Sequence, residues 1–160
     1  MTGIIVCNPI AAISFCTLPD AMVDIATYRE THFAGVERLW ESVFPSDPPW
    51  NKARVAIPEK RRLQPDLFIV AEDAGEVIGT AMAGYDGHRG WLYTIAVKPE
   101  RQREGIGSAL LKEAEDRLTR LGCGKANLQI RAGNETVASF YRRHGYEIEE
   151  RVSMGTRVGP

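Results

Sequence analysis

Apolar positions along the chain change period several times, and each change predicts an element. Val23 to Ala26 is a short apolar run that supplies a first strand. Phe33, Val36, Leu39, Trp40 and Val43 follow at mixed three-and-four spacing, the stripe of an amphipathic helix reaching Phe44. Pro45-Ser46-Asp47-Pro48-Pro49 breaks that helix, because its prolines remove backbone donors and fix the chain. Ala53 to Leu63, rich in Lys and Arg, predicts a second helix, interrupted by Pro58. Leu67 to Ala71 and Val77 to Tyr85 then read as strands joined by the turn Asp73-Ala74-Gly75. A second turn, Asp86-Gly87-His88-Arg89-Gly90, leads back into Trp91 to Val97, which completes an antiparallel meander.

The period then returns to 3.6. Ile106, Leu110, Ala114, Leu118 and Leu121 form one stripe with charged residues around the other side, and Gly122 ends the helix. Ala126 to Ile130 alternates like a strand, and its arrival after a helix predicts that it lies parallel to the strand before that helix. Asn134 is a good cap for a helix carrying Val137, Phe140, Tyr141 and His144 on one face, with Gly145 ending it. Tyr146 to Val152 and Ser153 to Val158 predict a closing pair of strands. The order β-α-α-β-β-β-α-β-α-β-β describes an α/β protein with a mixed sheet.

The junction between strand and central helix carries candidate chemistry. Pro99 stops the strand, and Gly105 and Gly107 stand where the helix begins. A helix start leaves backbone N–H groups without partners at the positive end of its dipole, which binds anions. The glycines let a phosphate approach the backbone, and Arg101 and Arg103 add positive charge, so this turn is a candidate pyrophosphate seat. A tight strand-to-helix connection would need the same glycines. It is not a Walker loop, since no Lys-Ser or Lys-Thr follows Gly107, and Leu110 occupies the position of a third dinucleotide-fold glycine.

Composition narrows the partners. With 160 residues the chain is long enough for one domain with one good core. Its 20 basic and 21 acidic residues give a net charge of -1, so no global field favours nucleic acid or an anionic membrane. Cys7, Cys16 and Cys123 form neither a zinc pattern nor a disulfide framework, and a reducing cytoplasm is the expected location. His32, His88 and His144 lack ligand spacing, so no metal is expected. Met1 to Ala21 fits neither a secretory signal nor a membrane span, and is expected to be an extension of a domain covering residues 22–160.

Gln102-Arg103-Glu104-Gly105-Ile106-Gly107 resembles the Q/R-x-x-G-x-G/A signature of the GNAT superfamily of N-acetyltransferases. Downstream, Asn134-Glu135-Thr136-Val137-Ala138-Ser139-Phe140-Tyr141-Arg142-Arg143-His144-Gly145-Tyr146 is similar to that family's N-x(5)-FYxxxGY segment. Gly84-Tyr85-Asp86-Gly87-His88-Arg89-Gly90 further resembles a bacterial subgroup. The resemblance runs from Met22 to Val158. It implies the GNAT acyl-CoA N-acyltransferase fold, a central mixed sheet flanked by helices on both faces, and acetyl-CoA as cosubstrate. The pyrophosphate would rest on Gln102, Arg103, Glu104, Gly105, Ile106, Gly107 and Ser108, and the pantetheine arm beside Ile95, Ala96 and Val97. The cofactor arm or an ordered water would meet Asn134, which has a competing role as a helix cap.

The implied reaction is direct attack of a small-molecule or peptide primary amine on the thioester in a ternary complex. The amine must be neutral to attack, and a backbone N–H of the central strand would hold the developing oxyanion. Tyr141 occupies the position of the family's tyrosine acid for the leaving thiolate, although it also belongs to the stripe with Phe140. Many relatives carry a glutamate base on the central strand or before the Asn cap; here Trp91-Leu92-Tyr93-Thr94 and Leu128-Gln129-Ile130 contain no carboxylate. A water guided by Tyr93 or by backbone carbonyls is the expected proton acceptor. Trp50, after the proline-rich loop, and Tyr93 are candidate acceptor walls, and Trp50 would serve equally to cap the core edge. Asp86 and His88 read as turn residues before they read as a catalytic dyad. An acyl-CoA-binding sensor of the same fold is the alternative, and homodimerisation is common in such folds.

Overall fold

A computed structural model describes residues 23–158; the expected extension, residues 1–21, lies outside the described residues. The described chain is built on one sheet with strands in the order β1-β2-β3-β4-β5: Asp24–Thr27, Phe68–Asp73, Glu76–Tyr85, Gly90–Val97 and Ala126–Asn127. β1 to β4 are antiparallel, and β5 is parallel to β4. Ala74 and Gly75, at φ 49° and 80°, form the two-residue loop of the β2–β3 hairpin, a left-handed pair whose twist matches that of the strands.

Helices cover both faces, as the alternating strands require. Phe68 and Val70 of β2 face α1 (Phe33–Val43) and α2 (Ala53–Leu63), packed with Val36, Leu39, Trp40 and Ile57. Ile69 and Ala71 face the opposite way, towards α3 (Ile106–Arg120) and α4 (Glu135–Arg143), where Ile106, Leu110, Leu111, Ala114, Leu118 and Tyr141 are buried. Each fully buried Leu or Ile in these layers contributes about 1.5–3 kcal/mol of gross hydrophobic stabilisation.

α3 lies close to the sheet because β3 has no side chain at the contact. A Cβ on Gly79 would meet Leu110 Cδ1 at 2.9 Å, the Ala96 carbonyl oxygen at 3.1 Å and Ile106 Cγ2 at 3.2 Å. The two helices ending in glycine close with the same device. Gly122 N–H donates to Thr119 O and Cys123 N–H to Leu118 O, and likewise Gly145 N–H to Arg142 O and Tyr146 N–H to Tyr141 O. Both glycines sit at φ above 80°, and these paired bonds satisfy carbonyls that a helix end leaves free.

Three expectations require correction. Pro58 does not interrupt α2, which runs unbroken from Ala53 to Leu63. Leu121 is 53 % exposed: the helix has ended at Arg120, so Leu121 leaves the buried stripe. The closing pair of strands over Tyr146 to Val158 is absent, since β5 offers a ladder of only two residues and no strand continues from it. Side-chain contacts hold that segment beside residues 125–129 instead, Lys125 with Glu149 and Gln129 with Ser153. Its alternating apolar residues Ile148, Val152, Met154 and Val158 are exposed.

Candidate active site

The parallel ladder between β4 and β5 pairs Gly90 with Ala126 and Trp91 with Asn127, and stops there. β4 continues to Val97, so its last stretch, including Ile95, Ala96 and Val97, has no ladder partner on the β5 side among the described residues. That backbone edge can accept an extended, amide-bearing chain as a strand would. Immediately beyond it the backbone turns through Pro99–Arg101 and enters α3.

The start of α3 is uncapped. Gly105 stands at the N-cap with φ 84°, and among the described residues no side chain bonds the first-turn N–H groups. Asn134 illustrates the opposite arrangement, its side chain accepting from Val137 N–H at 3.2 Å to cap α4. Ile106, Gly107 and Ser108 therefore present backbone donors at the positive end of a 15-residue helix. Arg103, at φ 71°, is exposed and has no ion-pair partner among the described residues. Arg101 differs from the sequence-based expectation, because its guanidinium is engaged by Asp73 at 2.7 Å and Glu104 at 2.8 Å. It braces the turn, and Glu104 is held with it.

The other predicted residues gather around this edge. Gln102 Nε2 donates to Val97 O at 3.3 Å, tying the turn to the end of β4. A Cβ on Gly107 would lie 3.6 Å from the Phe140 ring and 3.8 Å from Val97 Cγ2, so α4 flanks the first turn of α3. Ser108 Oγ is 2.9 Å from His144 Nε2, a contact the sequence did not foretell because the two lie 36 residues apart. Tyr141 is 9 % exposed and stacks edge-on against Phe140 and Tyr146, with centroids 5.1 and 5.4 Å away. Among the described residues its hydroxyl has no hydrogen-bond partner. Burial pushes its pKa up to about 12, so the phenol stays protonated at neutral pH.

The opposite face of the edge is less enclosed. Tyr93 is 46 % exposed, and a Cβ on Gly84 would meet its ring at 3.2 Å. Burial, then the Asp86 charge, raises the Tyr93 pKa. Nearby on β3, the Lys60 ammonium donates to Ala83 O, and desolvation lowers its pKa to about 8. Trp50 is half exposed, with the Arg157 guanidinium 4.8 Å from its ring centroid. One residue beyond Ile130, Arg131 pairs with Asp47 of the proline-rich loop, joining that loop to the chain leaving β5. Asp86 uses Oδ1 to accept from His88 and Arg89 N–H, at 2.7 and 2.6 Å, which is turn chemistry rather than a dyad.

The family model described as "Acetyltransferase (GNAT) family" matches residues 33–146. The chain belongs to the GNAT acetyltransferases. Acetyltransferase SG1711 of Sodalis glossinidius (strain morsitans) is 42 % identical over 132 residues, covering 82 % of this chain and 92 % of the relative. Acetyltransferase ECA0875 of Pectobacterium atrosepticum is 38 % identical over 136 residues, covering 85 % and 96 %. Among solved structures, the aminoglycoside N-acetyltransferase AAC(6')-Iy in complex with CoA shares the fold with a TM-score of 0.70 at 24 % identity, over 85 % of this chain and 95 % of that one. Ard1 from Thermoplasma volcanium does so with a TM-score of 0.72 at 22 % identity, over 79 % and 84 %. As a GNAT protein, the chain is an acetyltransferase dependent on acetyl-CoA.

Proposed function

We propose that this chain transfers acetyl from acetyl-CoA to a primary amine of a small molecule or peptide, by direct attack within a ternary complex. The observation that carries the proposal is the juxtaposition of an unpaired β4 edge with the uncapped first turn of α3. In this scheme the pyrophosphate accepts from the N–H groups of Ile106, Gly107 and Ser108, with Gln102, Arg103, Glu104 and Gly105 shaping the turn. Pantetheine amides pair with the backbone of Ile95, Ala96 and Val97. Asn134, its Oδ1 committed to the helix, has its amide N–H₂ to offer the cofactor arm or a water.

Chemistry follows from the same geometry. A backbone N–H at the Ile95 end of the open edge stabilises the oxyanion as the amine adds to the thioester carbonyl. Tyr141 gives its proton to the leaving thiolate; burial keeps the phenol protonated at neutral pH, and its hydroxyl has no hydrogen-bond partner among the described residues. No carboxylate lies in residues 91–94 or 128–130, so a water guided by Tyr93 and backbone carbonyls removes the ammonium proton. Trp50 and Tyr93 line the acceptor side. A solved neighbour of this fold is AAC(6')-Iy bound to a bisubstrate analogue, CoA-S-monomethyl-acetylneamine, which supports a ternary arrangement with an amine acceptor. The cytoplasm is the compartment this reading favours.

The missing carboxylate also favours a second reading, an acyl-CoA-binding sensor without turnover. Free-thiol release from acetyl-CoA, measured against a panel of amines alongside calorimetric CoA binding, separates the two. Amine-dependent release supports the enzyme, whereas CoA binding without release from any amine supports the sensor.

A further inference from the structure

A buried polar relay ends at the most strained residue of β4. Trp40 Nε1 donates to Thr80 Oγ1 at 2.9 Å, and Thr80 Oγ1 in turn donates to the Thr94 carbonyl at 3.4 Å. Thr80 is wholly buried and Trp40 is 4 % exposed. Thr94 has φ 44°, a left-handed conformation that is costly for a β-branched residue. It lies in a β-bulge: Thr80 pairs with Ala96 and Met82 with Tyr93, so Thr94 and Ile95 together oppose Ala81.

The bulge has a directional consequence. The described peptide bonds are all trans, and in a planar trans peptide the C=O and the next N–H point in opposite directions. Drawing the Thr94 carbonyl towards Thr80 on β3 therefore aims the Ile95 N–H away from β3, towards the edge where the β4–β5 ladder has ended. We infer that Thr80, held by Trp40, is a positioning residue that fixes the Thr94 bulge and so aims the Ile95 N–H at the acyl carbonyl. Without the hydroxyl, the Thr94 carbonyl loses a buried partner, and the left-handed bulge loses the bond that offsets its strain. This inference rests on the acetyl-transfer reading above and assigns a cause to its oxyanion donor.

The test uses Thr80→Val, which keeps shape and removes the hydroxyl, Thr80→Ser, which keeps the hydroxyl, and Trp40→Phe, which removes the indole donor. The expected result for Thr80→Val is a fall in kcat of about tenfold or more, with CoA affinity by calorimetry within about twofold of the unmodified protein. Thr80→Ser should keep kcat within about twofold, and Trp40→Phe should fall between them. A second readout needs no turnover. The ¹⁵N–¹H resonance of Ile95 should move when the ketone S-(2-oxopropyl)-CoA binds the unmodified protein, beyond its movement with CoA alone, and Thr80→Val should abolish that extra shift. Retention of both kcat and the shift by Thr80→Val overturns the inference, as does loss of CoA affinity in proportion to kcat, which marks general loosening. If the unmodified chain binds CoA but transfers nothing, the enzyme reading fails while the Ile95 shift still decides this inference; a chain binding neither CoA nor the ketone overturns both.

Discussion

Gly79→Ala tests whether the proposed cofactor seat depends on the close approach of α3 to β3. The new methyl group would stand 2.9 Å from Leu110 Cδ1 and 3.2 Å from Ile106 Cγ2, with the Ala96 carbonyl at 3.1 Å. Leu110 is fully buried and Ala96 O belongs to strand backbone, so neither yields easily. Gly79 is not in the left-handed region, which leaves crowding as the cost. Overpacking of this kind costs about 1–3 kcal/mol, or roughly 3–10 °C in Tm for a domain of this size. Ile106 is the first residue of α3, so relief by lifting the helix also moves the three N–H groups of the seat. A loss of about 1 kcal/mol there would raise the CoA Kd about fivefold. Gly124→Ala is the control, because a Cβ there meets nothing within 4 Å. Thermal melting and CoA calorimetry on both variants check the argument. A Gly79→Ala protein that melts and binds like the unmodified chain would refute the packing account; one that loses stability with unchanged CoA affinity would refute the coupling to the seat.

Other substitutions separate roles that lie close together. Tyr141→Phe should lower kcat by about a hundredfold with little change in CoA affinity, and because burial holds the phenol to about 12, the rate profiles of both proteins should share any alkaline limb below pH 10. Arg103→Ala should weaken CoA binding about two- to fivefold and reduce its salt dependence, whereas Arg101→Ala, which removes the bonds to Asp73 and Glu104, should lower Tm by a few degrees. Lys60 has a folded pKa of about 8, below its ordinary 10.5, through desolvation. The unfolded chain therefore binds the extra proton between those values, so this group's contribution is present above pH 10.5 and is lost as pH falls through 8. The Tm of the unmodified protein relative to Lys60→Met should rise between pH 8 and 10.5, and a flat difference would contradict the assignment.

Much of the architecture was legible because it is local. The α1 stripe of Val36, Leu39 and Trp40, the Ala74-Gly75 turn and the glycines after α3 and α4 each specify their element within a few residues. The start of α3 was equally legible, since Gly105 at a helix start without a capping side chain is a sequence feature. What escaped depends on partners far along the chain. Threonine carries no signal for a left-handed bulge at position 94, and its support comes from Thr80 and Trp40 on other elements. Arg101 read as added positive charge beside the turn, but Asp73, 28 residues earlier, engages its guanidinium. Tyr146 to Val158 alternates as strands do, but alternation needs an edge to pair with, and β5 extends no further than Asn127.

Calorimetric titration of the unmodified protein with CoA, repeated on Gly105→Ala, tests the central claim most directly. Gly105 has φ 84° at the start of α3, where a Cβ meets no atom but the backbone conformation costs about 1–2 kcal/mol. The account predicts one CoA per chain and a Kd raised several-fold by Gly105→Ala, which disturbs the first-turn N–H groups while leaving the β4 edge intact. CoA binding that ignores the substitution would move the pyrophosphate elsewhere, and absence of CoA binding by the unmodified protein would contradict the account outright.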